Sequence, residues 1–207
     1  MKDQTPSSEP SPSGPSPTAA DSAPPPTSGA TPDDITAEPV DADCRRLTDF
    51  DGDAANQWFV VNDGVMGGRS NGVIDVTDSV MRFTGSVVTA GGGFTSVRLR
   101  LDGTELAGST RVELRVRGDT RTYGLTLEDN AQVGQRAVSH RAELTIGEPD
   151  GWTTATLSYD DLRPAVFGQP VDAPPFNPEE AREFGIIIAD GLNGDFGLEI
   201  DWIDACR

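Results

Sequence analysis

From Cys44 onward the chain returns again and again to one pattern, in which apolar and polar residues alternate over short runs closed by Gly, Asp or Asn. Thr110–Arg117 is the cleanest case: Val112, Leu114 and Val116 share one side, and Arg111, Glu113, Arg115 and Arg117 share the other. A period of two belongs to a half-buried β-strand. Phe196, Leu198, Ile200 and Trp202 make a similar apolar row near the C-terminus, and further candidate strands are 57–61, 73–76, 80–88, 94–101, 122–128, 137–146, 153–159 and 184–189. About ten short strands with turn residues between them and almost no helical periodicity predict an all-β sandwich or jelly roll. One short helix is expected near 178–183, with Asn177 as its cap, Pro178 at its first position and Glu179 and Glu180 facing its positive end. The segment Pro164–Pro175 reads as a long Pro-rich loop, a common place for binding surface.

The alternation is missing from residues 1–41. Ten of the sixteen prolines fall in the first forty positions, among Ser, Thr, Ala and Gly. Such a segment has too little apolar surface to offset the entropy of ordering it, so 1–41 is expected to be a disordered Pro/Ser-rich linker, with 42–207 as one folded domain. The net charge is −18, and the sole lysine, Lys2, lies in the linker. No nucleic-acid partner is expected, and anionic membrane surfaces are poor partners, because polyanions are repelled. No run approaches the roughly twenty apolar residues of a membrane span. Met1-Lys2-Asp3-Gln4 leads straight into the polar linker without a signal peptide, so the expectation is a mature form tethered outside the cytoplasm, with a lipid on a removed N-terminal segment as one form of tether.

Cys44 opens the folded region and Cys206 is the penultimate residue. First and last strands of a sandwich often lie side by side, so the two are positioned to bridge, which would imply an oxidising compartment. The alternative is a pair of free thiols in a reducing cytosol. Two cysteines and one histidine do not make a zinc site of the usual kind.

Four blocks carry a specific resemblance: Trp58-Phe59-Val60-Val61-Asn62-Asp63-Gly64-Val65-Met66-Gly67-Gly68-Arg69-Ser70, Gly92-Gly93-Phe94-Thr95-Ser96-Val97-Arg98, Arg117-Gly118-Asp119-Thr120-Arg121-Thr122-Tyr123, and Gly194–Ile203. In this order they resemble the complex I intermediate-associated protein family over essentially all of 48–204. The resemblance implies a galactose-binding-like β jelly roll, similar in shape to carbohydrate-binding modules. It implies assembly of respiratory complex I for mitochondrial members, whereas bacterial members are mostly without assigned function. The N-terminus lacks the Arg-rich amphipathic pattern of a mitochondrial transit peptide, so the likeness is to a bacterial-type member.

Candidate ligand-binding residues come in two groups. Asn62, Asp63, Met66 and Arg69 lie in a glycine-bracketed loop where the backbone can approach a ligand closely. Arg98, Arg117, Asp119 and Tyr123 are expected to line one polar sheet face, although cross-strand charge ladders would also explain alternating arginines. No cofactor is required. Asp49-Phe50-Asp51-Gly52-Asp53 begins like a calcium loop without completing one, and if the termini meet, Asp51, Asp201 and Asp204 would offer oxygens to a structural Ca²⁺. His140 is read as a surface or half-buried strand residue, and Trp58, Trp152 and Trp202 as core. With no nucleophile elbow, HExxH or Cys–His pair, an enzyme is not expected. The leading expectation is a protein-interaction or assembly-assisting domain outside the cytoplasm, and the alternative is a carbohydrate-binding module.

Overall fold

The computed structural model describes residues 41–147 and 151–207; the linker expected over 1–41 lies outside them apart from Asp41. In chain order the strands are β1 (Cys44–Thr48), β2 (Trp58–Asn62), β3 (Asn71–Thr77), β4 (Val80–Val87), β5 (Thr95–Arg100), β6 (Arg111–Gly118) and β7 (Tyr123–Val133). They continue as β8 (Arg136–Leu144), β9 (Thr153–Ser158), β10 (Arg163–Val166), β11 (Gln169–Pro170), β12 (Glu183–Ile188) and β13 (Gly194–Cys206). Two antiparallel sheets result. One has six strands in the order β3-β4-β13-β6-β9, with β1 also on β13; the other has seven, β11-β10-β8-β7-β12-β5-β2.

Alternation decides which face of each sheet is buried. Val112, Leu114 and Val116 of β6 and Phe196, Leu198 and Ile200 of β13 enter one core with Val97, Leu99, Leu125, Leu127, Phe184, Ile186 and Ile188 of the other sheet. Each such burial contributes about 1.5–3 kcal/mol relative to exposure. Aromatic edges close the two ends: Phe83 meets Phe196 at 4.9 Å, and Trp58 meets Phe184 at 5.9 Å. This is the all-β sandwich that the alternation and the resemblance anticipate.

Several expectations are corrected. The helix near 178–183 is a single 3₁₀ turn, Pro178–Glu180, capped as expected by Asn177. It stops because Arg182 donates its N–H to Glu128 O and accepts from Leu101 N, drawing the chain into the sheet. The Pro164–Pro175 loop contains β10 and β11, whose prolines are tolerated because they lie at the sheet edge. His140 is fully buried, facing Asp129 at 3.4 Å and packing edge-on to Phe176. Trp58 is core, and Trp202 is buried as expected but outside the cluster between the sheets: the register on β6 shifts between Ile200 and Trp202, which puts Trp202 opposite Arg115 on the outer side, covered by Arg46. Trp152 also lies on that face, half-buried under Arg115 and Arg117.

Cys44 and Cys206 are directly opposite in the β1–β13 ladder and form a disulfide across a sequence separation of 162. A Cys44→Ser/Cys206→Ser double variant should lose about 2–5 kcal/mol of unfolding free energy, because the cross-link no longer restricts the unfolded chain. Urea unfolding with and without reductant measures this; coincident curves for native and reduced protein would show that the cross-link contributes nothing.

Candidate functional site

The glycine-bracketed loop is organised around its own acid. Asp63 is fully buried, and its carboxylate accepts from Ser70 N at 2.9 Å, Ser70 Oγ at 2.6 Å, Gly93 N at 2.7 Å and Phe94 N at 3.4 Å. Burial alone would raise this carboxyl, but the hydrogen bonds from Ser70, Gly93 and Phe94 outweigh it and hold it below the usual range. Gly68 and Gly92 are required here, since a Cβ on either would collide with the Asp63 side chain. Asn62 plays a parallel part, accepting from Gly72 N at 2.9 Å and Thr95 Oγ1 at 2.5 Å. Met66 and Arg69 are exposed on the same loop.

The second lock joins the β6–β7 and β12–β13 connections. Asp119 accepts from Arg121 N at 2.9 Å, Gly197 N at 2.7 Å and the hydroxyl of Tyr123 at 3.0 Å. Tyr123 is buried, and burial followed by the Asp119 charge pushes its phenol up. Arg121, part of the third motif block but not among the ligand-binding candidates, grips Asp190 through two bonds of 2.6 and 2.8 Å and donates to the carbonyls of Leu192, Gly194 and Asp195. Asp63, Asn62, Asp119 and Tyr123 therefore spend their polar atoms inside the chain.

Arg98 and Arg117 do not share a face, contrary to expectation: Arg98 is on the seven-stranded sheet and Arg117 on the six-stranded one. On the six-stranded sheet the outward charges pair with one another. Glu199 on β13 takes Arg82 from β4 and Arg117 from β6, Arg115 pairs with Asp201, Arg111 with Glu113, and Arg46 with Asp204. This is the cross-strand ladder, worth about 0–1 kcal/mol per exposed pair. It also uses two of the three acids assigned to calcium. The third, Asp51, accepts from Ser79 Oγ. The three are not gathered: among the described residues the one group of His, Cys, Asp and Glu ligand atoms within 4.8 Å of one another is Cys44, Glu113 and Cys206, whose sulfurs are disulfide-bonded.

The outer face of the seven-stranded sheet is different. One transverse row runs Phe59, Arg98, Gly185, Thr126, Arg141, Arg163 across β2, β5, β12, β7, β8 and β10. Beside it runs Arg100, Glu183, Glu128, Ser139, Ala165. The floor is of small residues, Ser96, Thr126, Ser139 and Gly185, and a Cβ at Gly185 would stand 2.5 Å from Thr126 Oγ1 and 3.4 Å from Arg98 Cγ. Arg98 is braced by Glu183 at 2.8 Å and Ser96 Oγ at 2.9 Å. Arg100 lies over the ring of Phe59 at 5.2 Å. Glu128 is half-buried, raised by burial and by Glu183; Arg141 is half-buried, lowered by burial and by Arg98. Among the described residues neither makes a salt bridge within 4.0 Å. Sequence reasoning found Arg98 in this strip and missed Glu128, Arg141, Thr126 and Glu183. The polar alternation Ser139, Arg141, Glu143 was available as a signal, but Phe184–Ile188 reads as a continuous apolar run with no outward face.

The model of the family described as Complex I intermediate-associated protein 30 (CIA30) matches residues 48–200. No curated protein shows significant similarity. Among solved structures, a family 11 carbohydrate-binding module of the cellulosomal cellulase Lic26A-Cel5E of Clostridium thermocellum is similar at a TM-score of 0.57 and 12% identity, over 79% of this chain and 95% of that one. The Clostridium thermocellum family 11 module in complex with a β-1,3-1,4-mixed-linked tetrasaccharide is similar at 0.56 and 14%, again over 79% and 95%. The agarase AgWH50C is similar at 0.52 and 11%, over 79% of this chain and 24% of the agarase. These likenesses establish a shared β-sandwich fold.

Asp63 sets a pH dependence whose sign follows from its depressed carboxyl. Its stabilisation is present above the unfolded value near 3.8 and is lost as pH falls through the lower folded value. Asp63→Asn should lower the unfolding free energy at pH 7 by about 1–3 kcal/mol, since donors lose their acceptor, and should flatten the acid limb below pH 3.8. Urea midpoints measured from pH 7 down to the acid transition test this; parallel curves for the two proteins would rule it out.

Proposed function

We propose that this chain, which belongs to the Complex I intermediate-associated protein 30 family, is a non-catalytic glycan-binding domain that works outside the cytoplasm. An extended saccharide would lie across β2, β5, β12, β7 and β8, along the row from Phe59 to Arg141. The observation that carries the reading is the contrast between the two outer faces. On the six-stranded sheet the charged groups answer one another, whereas Glu128 and Arg141 on the other sheet are half-buried without a salt-bridge partner among the described residues. Arg141 has one long bond, from Nε to Ser139 Oγ at 3.4 Å, and half-buried polar groups of this kind gain from further hydrogen bonds.

A saccharide supplies what they lack. Its hydroxyls donate and accept, so one chain can satisfy the Arg141 guanidinium, the Glu128 carboxylate and the Thr126 hydroxyl in sequence. Phe59 adds an apolar surface at one end of the row, of the kind a sugar ring stacks on. With strands about 4.8 Å apart, the row from Phe59 to Arg141 is about 19 Å long, enough for a short oligosaccharide and too narrow for a large protein interface. The tetrasaccharide bound by the family 11 module of the same fold supports this reading. The disulfide agrees with an oxidising compartment, and the Pro/Ser-rich composition of residues 1–41 suits a tether.

A glycan array probed with the full chain at moderate salt, with and without Ca²⁺, tests the proposal. Binding should be insensitive to Ca²⁺, because Asp201 and Asp204 are engaged by arginines. Arg98→Ala should weaken it by roughly tenfold or more, and Arg117→Ala, on the opposite sheet, should leave it unchanged. Silence across the array from folded protein would sink the glycan reading and return the search to a protein partner.

A further inference from the structure

Beyond the row itself, one edge of the seven-stranded sheet is built for something more specific. The β10–β11 hairpin turns on Phe167-Gly168, with φ of 50° and 77°. A two-residue turn with both φ positive is ordinarily made by Asn-Gly or Gly-Gly, because a bulky side chain is disfavoured in the left-handed region. Here a phenylalanine occupies the first position and is 71% exposed. Folding alone does not call for an aromatic there, since it buries little surface. Local strain combined with an exposed ring is characteristic of contact positions.

Two arginines converge on this turn. Arg136, from the start of β8, stacks on the Phe167 ring at 4.9 Å from its centroid. Arg141, five residues further along β8, reaches the turn so that its Nη1 lies 3.5 Å from where a Cβ on Gly168 would stand. Neither makes a salt bridge with a carboxylate among the described residues, whereas Arg46, Arg82, Arg98, Arg111, Arg115, Arg117 and Arg121 all do. Half-burial and the nearby Arg98 oppose the charge on Arg141 more than the neighbouring Glu128 supports it, its Nε donates to Ser139 Oγ at 3.4 Å, and a guanidinium does not shed its proton to escape. Such a group gains most from a ligand anion.

We propose that Phe167, Arg136 and Arg141 form a subsite for an acidic sugar unit, the ring of Phe167 taking the apolar face of a pyranose and the two guanidiniums its carboxylate or sulfate. The inference rests on the glycan reading and names the class of glycan. The net charge of −18 opposes long-range attraction of any polyanion, so the preference is one of contact and belongs to short oligomers.

Titration calorimetry of the full chain at physiological salt should compare three oligosaccharides of matched length: a uronate oligomer, a sulfated galactan oligomer and a neutral mixed-linkage β-glucan. At least one acidic oligomer is expected to bind roughly tenfold tighter than the neutral one. The uronate responding alone assigns a carboxylate, and the sulfated oligomer responding alone assigns a sulfate. Arg141→Gln and Phe167→Ala should each abolish that margin, with folding checked by thermal unfolding; the exposed Phe167 provides a variant that leaves the core intact. A neutral oligomer that binds as tightly as the acidic ones, or a margin that survives both substitutions, overturns the subsite while leaving the glycan reading in place. Binding by none of the three from folded protein overturns both.

Discussion

Strand β13 is the member on which the six-stranded sheet depends. It is hydrogen-bonded along both edges, to β4 over Gly194–Ile200 and to β6 over Leu198–Cys206, and its end is taken by β1 once β4 has finished. Its inward residues, Phe196, Leu198, Ile200, Ile203 and Ala205, run through the core from end to end. The connection entering it is held by Arg121 and Asp119, which belong to the loop between a strand of one sheet and a strand of the other. The sandwich is thus closed by one long strand with both edges satisfied, and the disulfide locks the end of that strand to the first one.

Motif and function separate in this molecule. The recognisable blocks centred on Asn62-Asp63, Gly92-Gly93 and Asp119-Thr120-Arg121 owe their composition to loop closure: one carboxylate collects the backbone donors of a turn, and glycines stand where a side chain would strike it. A turn of this kind tolerates few substitutions, which is why it reads so clearly in a sequence. The strip offered as a binding face is made of residues from five strands far apart in the chain, each an ordinary strand position by itself.

Charge is handled in opposite ways on the two outer faces. On the six-stranded side a bulge after Ile200 turns Trp202 outward, and arginines lie across Trp202 and Trp152 while their heads meet Glu199, Asp201 and Asp204. On the seven-stranded side the arginines outnumber the carboxylates that reach them, in a chain whose overall balance is strongly acidic.

The sequence by itself determined the all-β class, most of the strands and the inward face of each, because a period of two is a local property that survives without tertiary context. It also determined that Cys44 and Cys206 stand at the ends of the folded region. It did not determine β1, β10 and β11, which are short or proline-bearing edge segments whose pairing depends on a neighbour already in place. Nor did it reveal that Trp202 faces outward, since a bulge shifts register without changing composition. Which polar residues became loop locks and which were left facing outward was decided only by the packing of two sheets. Asp63 follows a strand and Glu128 lies within one; the first is enclosed by donors from two other segments, and the second is set among arginines from two other strands. That difference is one of assembled distance, and distance across strands is not written in the order of residues along one.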